Sequence, residues 1–356
     1  MNIGMISRYL PSEAKGGVGY QVHYLANHLS KLGIKVKIYS MCEKPKDALY
    51  DVEKIKMGRL ASNKLLRTYS FAYKVRKIDF DNYDLLHTHG DDYLLKKQKA
   101  PILRTFYGSA KQEAKNSTSF GRFLRQATLY PLEFISGRKS DKNVAISDNT
   151  INDLPFIKKT IPCGVDLDRF SNGKETSLKE ENPTILFVGT IGGRKRGELL
   201  LSNFKDIKKE IPNAKLWLVA DKDVQGEGII SFGRVSTEKL IELYQRAWIF
   251  CLPSSYEGFG VPYIEALCSG TAVVATKNPG AIEILEKTNS GIISDDDEIS
   301  KNIVSLITKK SLRYSLITNG LVSVNKYSWD IVTEQYIQEY KKLLKGDVYE
   351  KKEALR

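Results

Sequence analysis

Residues 248–276, WIFCLPSSYEGFGVPYIEALCSGTAVVAT, decide the fold. WIFCLPS and TAVVAT are short apolar runs, and each suits a strand buried on both faces. Between them lies a glycine-flanked aromatic turn, YEGFG, followed by a helical pattern. Val261 or Pro262 is the expected first helical residue, because a proline there loses no hydrogen bond. Gly258 and Gly260 bring bare backbone amides to that helix start. Strand, turn, helix and strand in this order predict a βαβ unit of a parallel sheet. Two acids punctuate the unit, Glu257 in the loop and Glu265, expected on the first turn of the helix. Amides and helix dipole favour negative charge at such a start. A carboxylate beside it repels phosphate, so Glu257 is read as an acceptor for neutral hydroxyls. Glu265, next to Ala266 and Leu267, is read as partly buried, where an unpaired carboxylate is costly and a ribose diol would satisfy it. A capping glutamate and an exposed one would look the same in sequence.

The same rhythm runs along the whole chain. In the first half NIGMIS, IKVKIYS, YDLLHTH, PILRTFY and DKNVAIS read as strands. A glycine-rich loop, KGGVG, follows the first of them, and an amphipathic helix is expected over 20–32, closed by Gly33 in a left-handed C-cap. Composition shifts to polar and charged at 170–183, FSNGKETSLKEENP, which reads as an interdomain linker. Strands then resume with TILFVGT, AKLWLVA and GIISFG. The predicted architecture is α/β, with two Rossmann-like domains facing a central cleft, where the strand carboxyl ends bind ligands. The domains are set at 1–165 and 166–328. The last segment, 329–356, is expected to form a helix from about Trp329 to Leu344 with a charged tail, packing back toward the first domain.

Bulk properties narrow the function classes. The 356 residues carry a net charge of +13, with 55 Lys+Arg against 42 Asp+Glu. Nearly all of the excess falls in the first half. Between Lys54 and Lys77 the bases are interleaved with Leu60, Leu65, Leu66, Tyr69, Phe71 and Tyr73, and no acid interrupts them. A solvated helix face accounts for this, and so does a surface that meets anionic lipid headgroups or a phosphorylated acceptor. No nucleic-acid motif supports a polynucleotide partner. No apolar run is long enough to span a bilayer, and the N-terminal apolar stretch is too short for a signal segment. A cytoplasmic protein, with the first domain on the inner membrane face, is the expectation. Cys42, Cys163, Cys251 and Cys268 are scattered, which argues against a zinc site or a disulfide framework.

A second loop reinforces the first. TILFVGT runs into IGGRKRG, where Gly192 and Gly193 allow a sharp turn and Arg194, Lys195 and Arg196 cluster at the strand end. Basic groups beside a helix N-terminus suit a diphosphate, although solvated charge is the commoner meaning of such a loop. Taken together, PSSYEGFGVPYIEALCSGTAVVAT resembles the signature of GT-B-fold glycosyltransferases of the large retaining family 4, marked by two glutamates separated by seven residues. FVGTIGGRKRG, ISFGRVSTEKLIELYQRA, PCGVDLDRF, KGGVGYQVHYLANHLSKLGIKVKIYS and VAISDNT are similar to further family segments, so the resemblance covers essentially the whole chain.

The resemblance implies a hexosyltransferase that uses a UDP- or GDP-linked sugar as donor, retains anomeric configuration, and needs neither metal nor other cofactor. Arg194 and Lys195 then grip the diphosphate, Glu257 stands near the donor sugar and Glu265 holds the ribose. Gly258, Phe259 and Gly260 present backbone to the sugar or phosphates. Gly233 and Val235 lie near the base, and Gly16, Gly17 and Gly19 line the cleft from the first domain. The acceptor is a glycan or a lipid-linked molecule. Two departures stand out: Thr190 follows the FVG strand end where an arginine is frequent, and Tyr107 stands where a histidine is frequent. His89 and Tyr107 are therefore candidate acceptor or sugar contacts. His87 and His89 share a strand face but make a poor zinc site as a pair. Asp79 with Asp81 and Asp166 with Asp168 read as solvated turns. The alternatives are an epimerase or phosphorylase of the same fold, the latter disfavoured by chain length, and a catalytically silent sugar-nucleotide-binding protein.

Overall fold

The computed structural model describes residues 1–11, 17–58, 63–117, 119–171 and 179–353, with the side chains of 64, 65 and 347–353 left out. The chain divides into two units, Met1–Gly164 with Trp329–Arg356, and Val165–Ser328.

The first unit is built on a six-stranded parallel sheet of β1 (Asn2–Ile6), β2 (Lys35–Ser40), β3 (Asp51–Lys54), β4 (Leu85–Thr88), β5 (Ile102–Phe106) and β6 (Lys142–Ala145). Its spatial order is β3-β2-β1-β4-β5-β6. The helices are α1 (Gly17–Lys31), α2 (Lys64–Val75), α3 (Ala110–Lys115), α4 (Phe120–Lys139) and α5 (Asp148–Asp153). β1, β4 and β5 are almost wholly buried, with His87, Thr88, Arg104 and Thr105 buried among their apolar residues. α1 starts earlier than the expected 20–32, and Gly33 ends it at φ +77°. On one side of the sheet Ile3, Met5, Val22, Leu25 and Leu29 share a core with Trp329, Val332, Tyr336, Ile337 and Tyr340 of the C-terminal helix, Trp329–Glu353. Each such fully buried side chain contributes roughly 1.5–3 kcal/mol, so the helix is part of this unit's core.

The second unit repeats the plan with β7 (Thr184–Gly189), β8 (Lys215–Ala220), β9 (Ile229–Ser231), β10 (Ile249–Leu252), β11 (Ala272–Thr276) and β12 (Gly291–Ser294). These strands are again all parallel, in the order β12-β11-β10-β7-β8-β9. Its helices are α6 (Leu167–Phe170), α7 (Gly197–Glu210), α8 (Thr237–Arg246), α9 (Val261–Cys268), α10 (Pro279–Ala281), α11 (Ile299–Thr308) and α12 (Lys310–Ser323).

Three expectations are corrected. Strands β3 and β12 were not foreseen: β3 is a short edge strand, DVEK, with one partly buried side chain and the rest exposed, so it carries no apolar run. The C-terminal helix continues past Leu344 to Glu353. The described part of 170–183 lies inside the second unit rather than between units. Lys179 Nζ donates to the Ala247 carbonyl at 2.7 Å and to Thr271 Oγ1 at 2.8 Å, and Trp248 Nε1 donates to the Glu180 carbonyl at 2.7 Å. The four cysteines are buried and none is in a disulfide, and among the described residues no helix is long and apolar enough to cross a membrane.

Candidate active site

In the second unit the chain leaves β7 toward β8 and β9, then returns to β10 on the opposite side of β7. Loops after β7 and β10 therefore part at the carboxyl end of the sheet, the place where parallel sheets open a crevice. The first loop carries Arg194 and Lys195 in a single helical turn, Gly193–Lys195. The second carries Glu257. They are laced together by the Ser255 amide, which donates to the Arg194 carbonyl at 2.9 Å, and by Arg194 Nη1, which donates to the Tyr256 carbonyl at 2.6 Å.

The side chains converge on one atom. Arg194 Nη1 lies 2.9 Å and Lys195 Nζ 2.7 Å from Glu257 Oε1. Glu257 is only 6% exposed. Burial alone would push its carboxyl up, but the Lys195 and Arg194 charges override it and hold the group below the usual carboxylate range. Burial also lowers the Lys195 ammonium, with Glu257 pulling it partly back. The three side chains meet in a largely buried setting, where charge–charge forces are strong. The sequence reading gave Glu257 ligand hydroxyls as partners; within the protein its Oε1 meets two cations. Arg196 plays a different part from its neighbours. It takes a left-handed conformation at φ +50°, donates from Nε to the Pro253 carbonyl at 2.7 Å, and grips Asp296 through two bonds of 2.6 and 2.9 Å.

α9 begins at Val261, as expected, with Gly260 capping it at φ +99°. A Cβ on Gly260 would lie 2.5 Å from the Tyr263 ring, so only glycine fits. Glu265 consequently falls on the second turn rather than the first. Its Oε2 accepts from the Tyr244 hydroxyl at 3.2 Å. Burial pushes its carboxyl up to about 7, while Tyr244 and the Lys195 charge oppose the rise. Phe259 is buried with its ring against Tyr327, which leaves its backbone for the loop. Gly258 is half-buried beside it. Gly233, at φ +64°, and Val235 follow β9 at the same end of the sheet and lead into α8.

Sequence reasoning missed the residues that hold these in place. The Gly280 amide donates to the Glu257 carbonyl at 2.9 Å, and Asn278 Nδ2 bonds the Ser254 carbonyl at 3.2 Å and the Tyr263 hydroxyl at 3.0 Å. Tyr244 and Asp296 were missed for the same reason: each is brought in by the fold from a distant segment. A turn signal in Asn278-Pro279-Gly280 was the one available clue.

The first unit has its own reversal of strand order, between β1 and β4, and a cavity of about 380 Å³ opens there. Gly17, Gly19, His89 and Tyr107 all line it; Gly16 lies outside the described residues. His89 Nδ1 is 3.0 Å from the Tyr107 hydroxyl, and burial and Arg104 lower the imidazole to about 3, so the ring is neutral. His87 serves the core instead, its two nitrogens meeting the Tyr340 and Thr105 hydroxyls at 2.7 and 2.8 Å. The cavity also holds charges that the sequence did not reveal. Arg104 ion-pairs with Asp92, and Arg8 with Asp91 at 3.4 Å. Burial raises Glu133 to about 7 despite two bonds from the Ala110 amide. The paired aspartates read as turns keep structural posts: Asp79 accepts from the Asp81 amide at 2.9 Å, and Asp166 caps α6.

Comparisons with known proteins give the family and the fold. The family model "Glycosyltransferase Family 4" matches residues 15–169, and "Glycosyl transferases group 1" matches 168–321. The phosphatidyl-myo-inositol mannosyltransferase of Mycobacterium tuberculosis is 25% identical over 378 residues, covering 96% of each chain. A sucrose-phosphate synthase from Thermosynechococcus elongatus superposes with a TM-score of 0.77 at 20% identity, covering 97% of this chain and 99% of the other. Anabaena HepE, solved with UDP and glucose, superposes with a TM-score of 0.75 at 14% identity over 96% and 99%. Two consecutive family models, a relative matched end to end and the doubled parallel sheet converge, and this chain belongs to the group 1 glycosyltransferases of the GT-B fold.

Proposed function

We propose that the enzyme transfers a hexose from a UDP- or GDP-linked donor to a glycan or lipid-linked acceptor, with retention of configuration. The observation that carries this reading is the meeting of Arg194, Lys195 and Glu257 at the carboxyl ends of β7 and β10. Negative charge grows on the donor diphosphate as the glycosidic bond breaks, and two preorganised cations stabilise that charge. They supply what a metal ion would otherwise supply. Glu257 Oε1 orients both cations, and its Oε2 accepts from a sugar hydroxyl. Glu265 accepts from the ribose diol. The proton from the acceptor hydroxyl goes to the departing phosphate oxygen, so the glutamates bind rather than shuttle protons. Gly258 and Gly260 offer backbone amides, Gly233 and Val235 flank the base, and His89 and Tyr107 contact the acceptor or sugar. A protein of this fold solved with UDP and glucose, and a mannosyltransferase similar over the full length, support this class of donor.

A thermal-shift screen of nucleotide sugars tests the donor. The right donor at a hundred times its Kd stabilises the protein by about 2.7 kcal/mol. Arg194→Ala is expected to remove most of that shift. A shift fully retained in the variant would place the diphosphate elsewhere.

A pH prediction follows from Glu265. Binding of ribose hydroxyls needs the ionised carboxylate, whose population rises as pH passes about 7. Donor affinity is therefore expected to rise about tenfold from pH 6 to pH 8, complex formation releasing a proton. An intact nucleotide sugar is the right titrant, because its diphosphate does not itself titrate in that range. Glu265→Gln should flatten the profile in calorimetry; a slope that survives this change assigns the proton to another group.

A further inference from the structure

α8 buries two of its residues, Leu243 and Tyr244. A phenol taken out of water needs a partner for its hydroxyl. Tyr244 is fully buried and finds that partner in the Glu265 carboxylate, 3.2 Å away at Oε2. The ring has little room to turn. Phe170 of α6 and Phe250 of β10 meet it edge-on, with ring centres 6.0 and 5.3 Å away. The backbone is tied as well: Thr271 Oγ1 donates to the Tyr244 carbonyl at 2.6 Å and accepts from Lys179 Nζ at 2.8 Å. Helix, rings and backbone together fix where the hydroxyl points.

The sense of the bond is fixed too. Burial and then the Glu265 charge push the Tyr244 phenol well above its ordinary range, so it keeps its proton and donates. A donated bond favours the ionised form of Glu265 against the burial that raises it, and the Lys195 charge acts in the same direction. Among the described residues, the other titratable groups packed around α9 act elsewhere. Asp166 and Asp168 of α6 bear on the Cys268 thiol, which lies in the field of Glu265 as well. Arg313 of α12 donates to the Leu306 and Ile307 carbonyls, Glu283 bears on Tyr327, and β11 has no titratable side chain.

We propose that Tyr244 is a positioning residue for donor selection: its hydroxyl occupies Glu265 Oε2 and turns the other carboxylate oxygen to the ribose diol. The proposal rests on the reading of Glu265 as the ribose ligand. Tyr244 adds discrimination to that reading. A carboxylate that cannot swivel is left short of a partner by any nucleotide without the diol, and sites built to bond a hydroxyl reject analogues that lack it.

The test is Tyr244→Phe, which keeps the ring between Phe170 and Phe250 and removes only the hydroxyl; its melting curve should stay close to that of the parent. Donor affinity is titrated calorimetrically with UDP-glucose or GDP-mannose, whichever the thermal-shift screen selects. The pH midpoint of affinity should rise by about one unit, which lowers affinity at pH 7 about fivefold. At fixed pH, the preference for UDP or GDP over its 2′,3′-dideoxy form should shrink by about threefold or more. Because Tyr244 acts through Glu265, adding Tyr244→Phe to Glu265→Gln should change donor affinity by less than about twofold. An unmoved midpoint or an unaltered diol preference in Tyr244→Phe overturns the proposal, and so do additive effects in the double variant. A parent profile that is flat between pH 6 and pH 8 removes the Glu265 reading itself, so the two failures are told apart.

Discussion

Lys195→Ala is expected to lower kcat/KM for sugar transfer by about 10²–10³, or roughly 2.7–4 kcal/mol of transition-state stabilisation. The ammonium sits 2.7 Å from Glu257 Oε1 in a largely buried site, where a fixed cation is worth more than one in water. The same change leaves Glu257 buried with Arg194 as its remaining cation, and its carboxyl should rise from its depressed value. Because Arg194 and Lys195 share one oxygen, Arg194→Ala and Lys195→Ala together should cost less than the product of the single effects. Steady-state kinetics across a panel of nucleotide sugars reads both quantities. Full activity in Lys195→Ala would remove the diphosphate assignment from this loop.

Gly280→Ala should damage stability and rate together, though Gly280 itself bears no chemistry. An added Cβ would stand 2.5 Å from the Phe259 carbonyl oxygen and 3.1 Å from Glu257 Cβ. Backbone cannot swing aside as a long side chain does, so overpacking of about 1–3 kcal/mol is expected. For a unit of this size that corresponds to a Tm lower by about 3–10 °C. The strain is relieved by moving the loop whose carbonyl the Gly280 amide holds at 2.9 Å, and that loop carries Glu257. A displacement near 1 Å costs about 10² in rate. Melting curves and kinetics on one preparation check the pairing. An unaltered kcat beside a lowered Tm would show that the loop keeps its place without this contact.

The fold was legible where strands run buried through both layers. Runs such as TILFVGT and WIFCLPS keep their hydroxyl residues at the ends, where they do not confuse the pattern, and each became a central strand. Asp51–Lys54 was not legible because an edge strand needs no apolar side chains, only backbone pairing with β2. The site divided along the same line. Arg194, Lys195 and Glu257 were singled out because glycines and charge mark their loops and because those loops resemble a family signature. Their mutual contact was not, since it depends on β7 and β10 becoming neighbours across an intervening stretch of chain. Tyr244, Asn278, Gly280 and Asp296 act through such long-range placement, of which the turn signal at Asn278-Pro279-Gly280 was the sole local trace. Glu265 shows a finer limit: the helix starts at Val261 as expected, and from that start the acid falls on the second turn.

The C-terminal helix has a consequence for how the protein is made. Trp329, Val332, Tyr336, Ile337 and Tyr340 complete the core that Ile3, Met5 and Val22 begin. Residues 165–328, by contrast, form one uninterrupted unit. A growing chain therefore holds this core covered by α1 alone until residues 329–340 leave the ribosome, while the middle segment has everything it needs to fold beforehand. Synthesis runs from the N-terminus, but the N-terminal unit finishes last, and its unsealed apolar face is what a chaperone would meet on the nascent polypeptide.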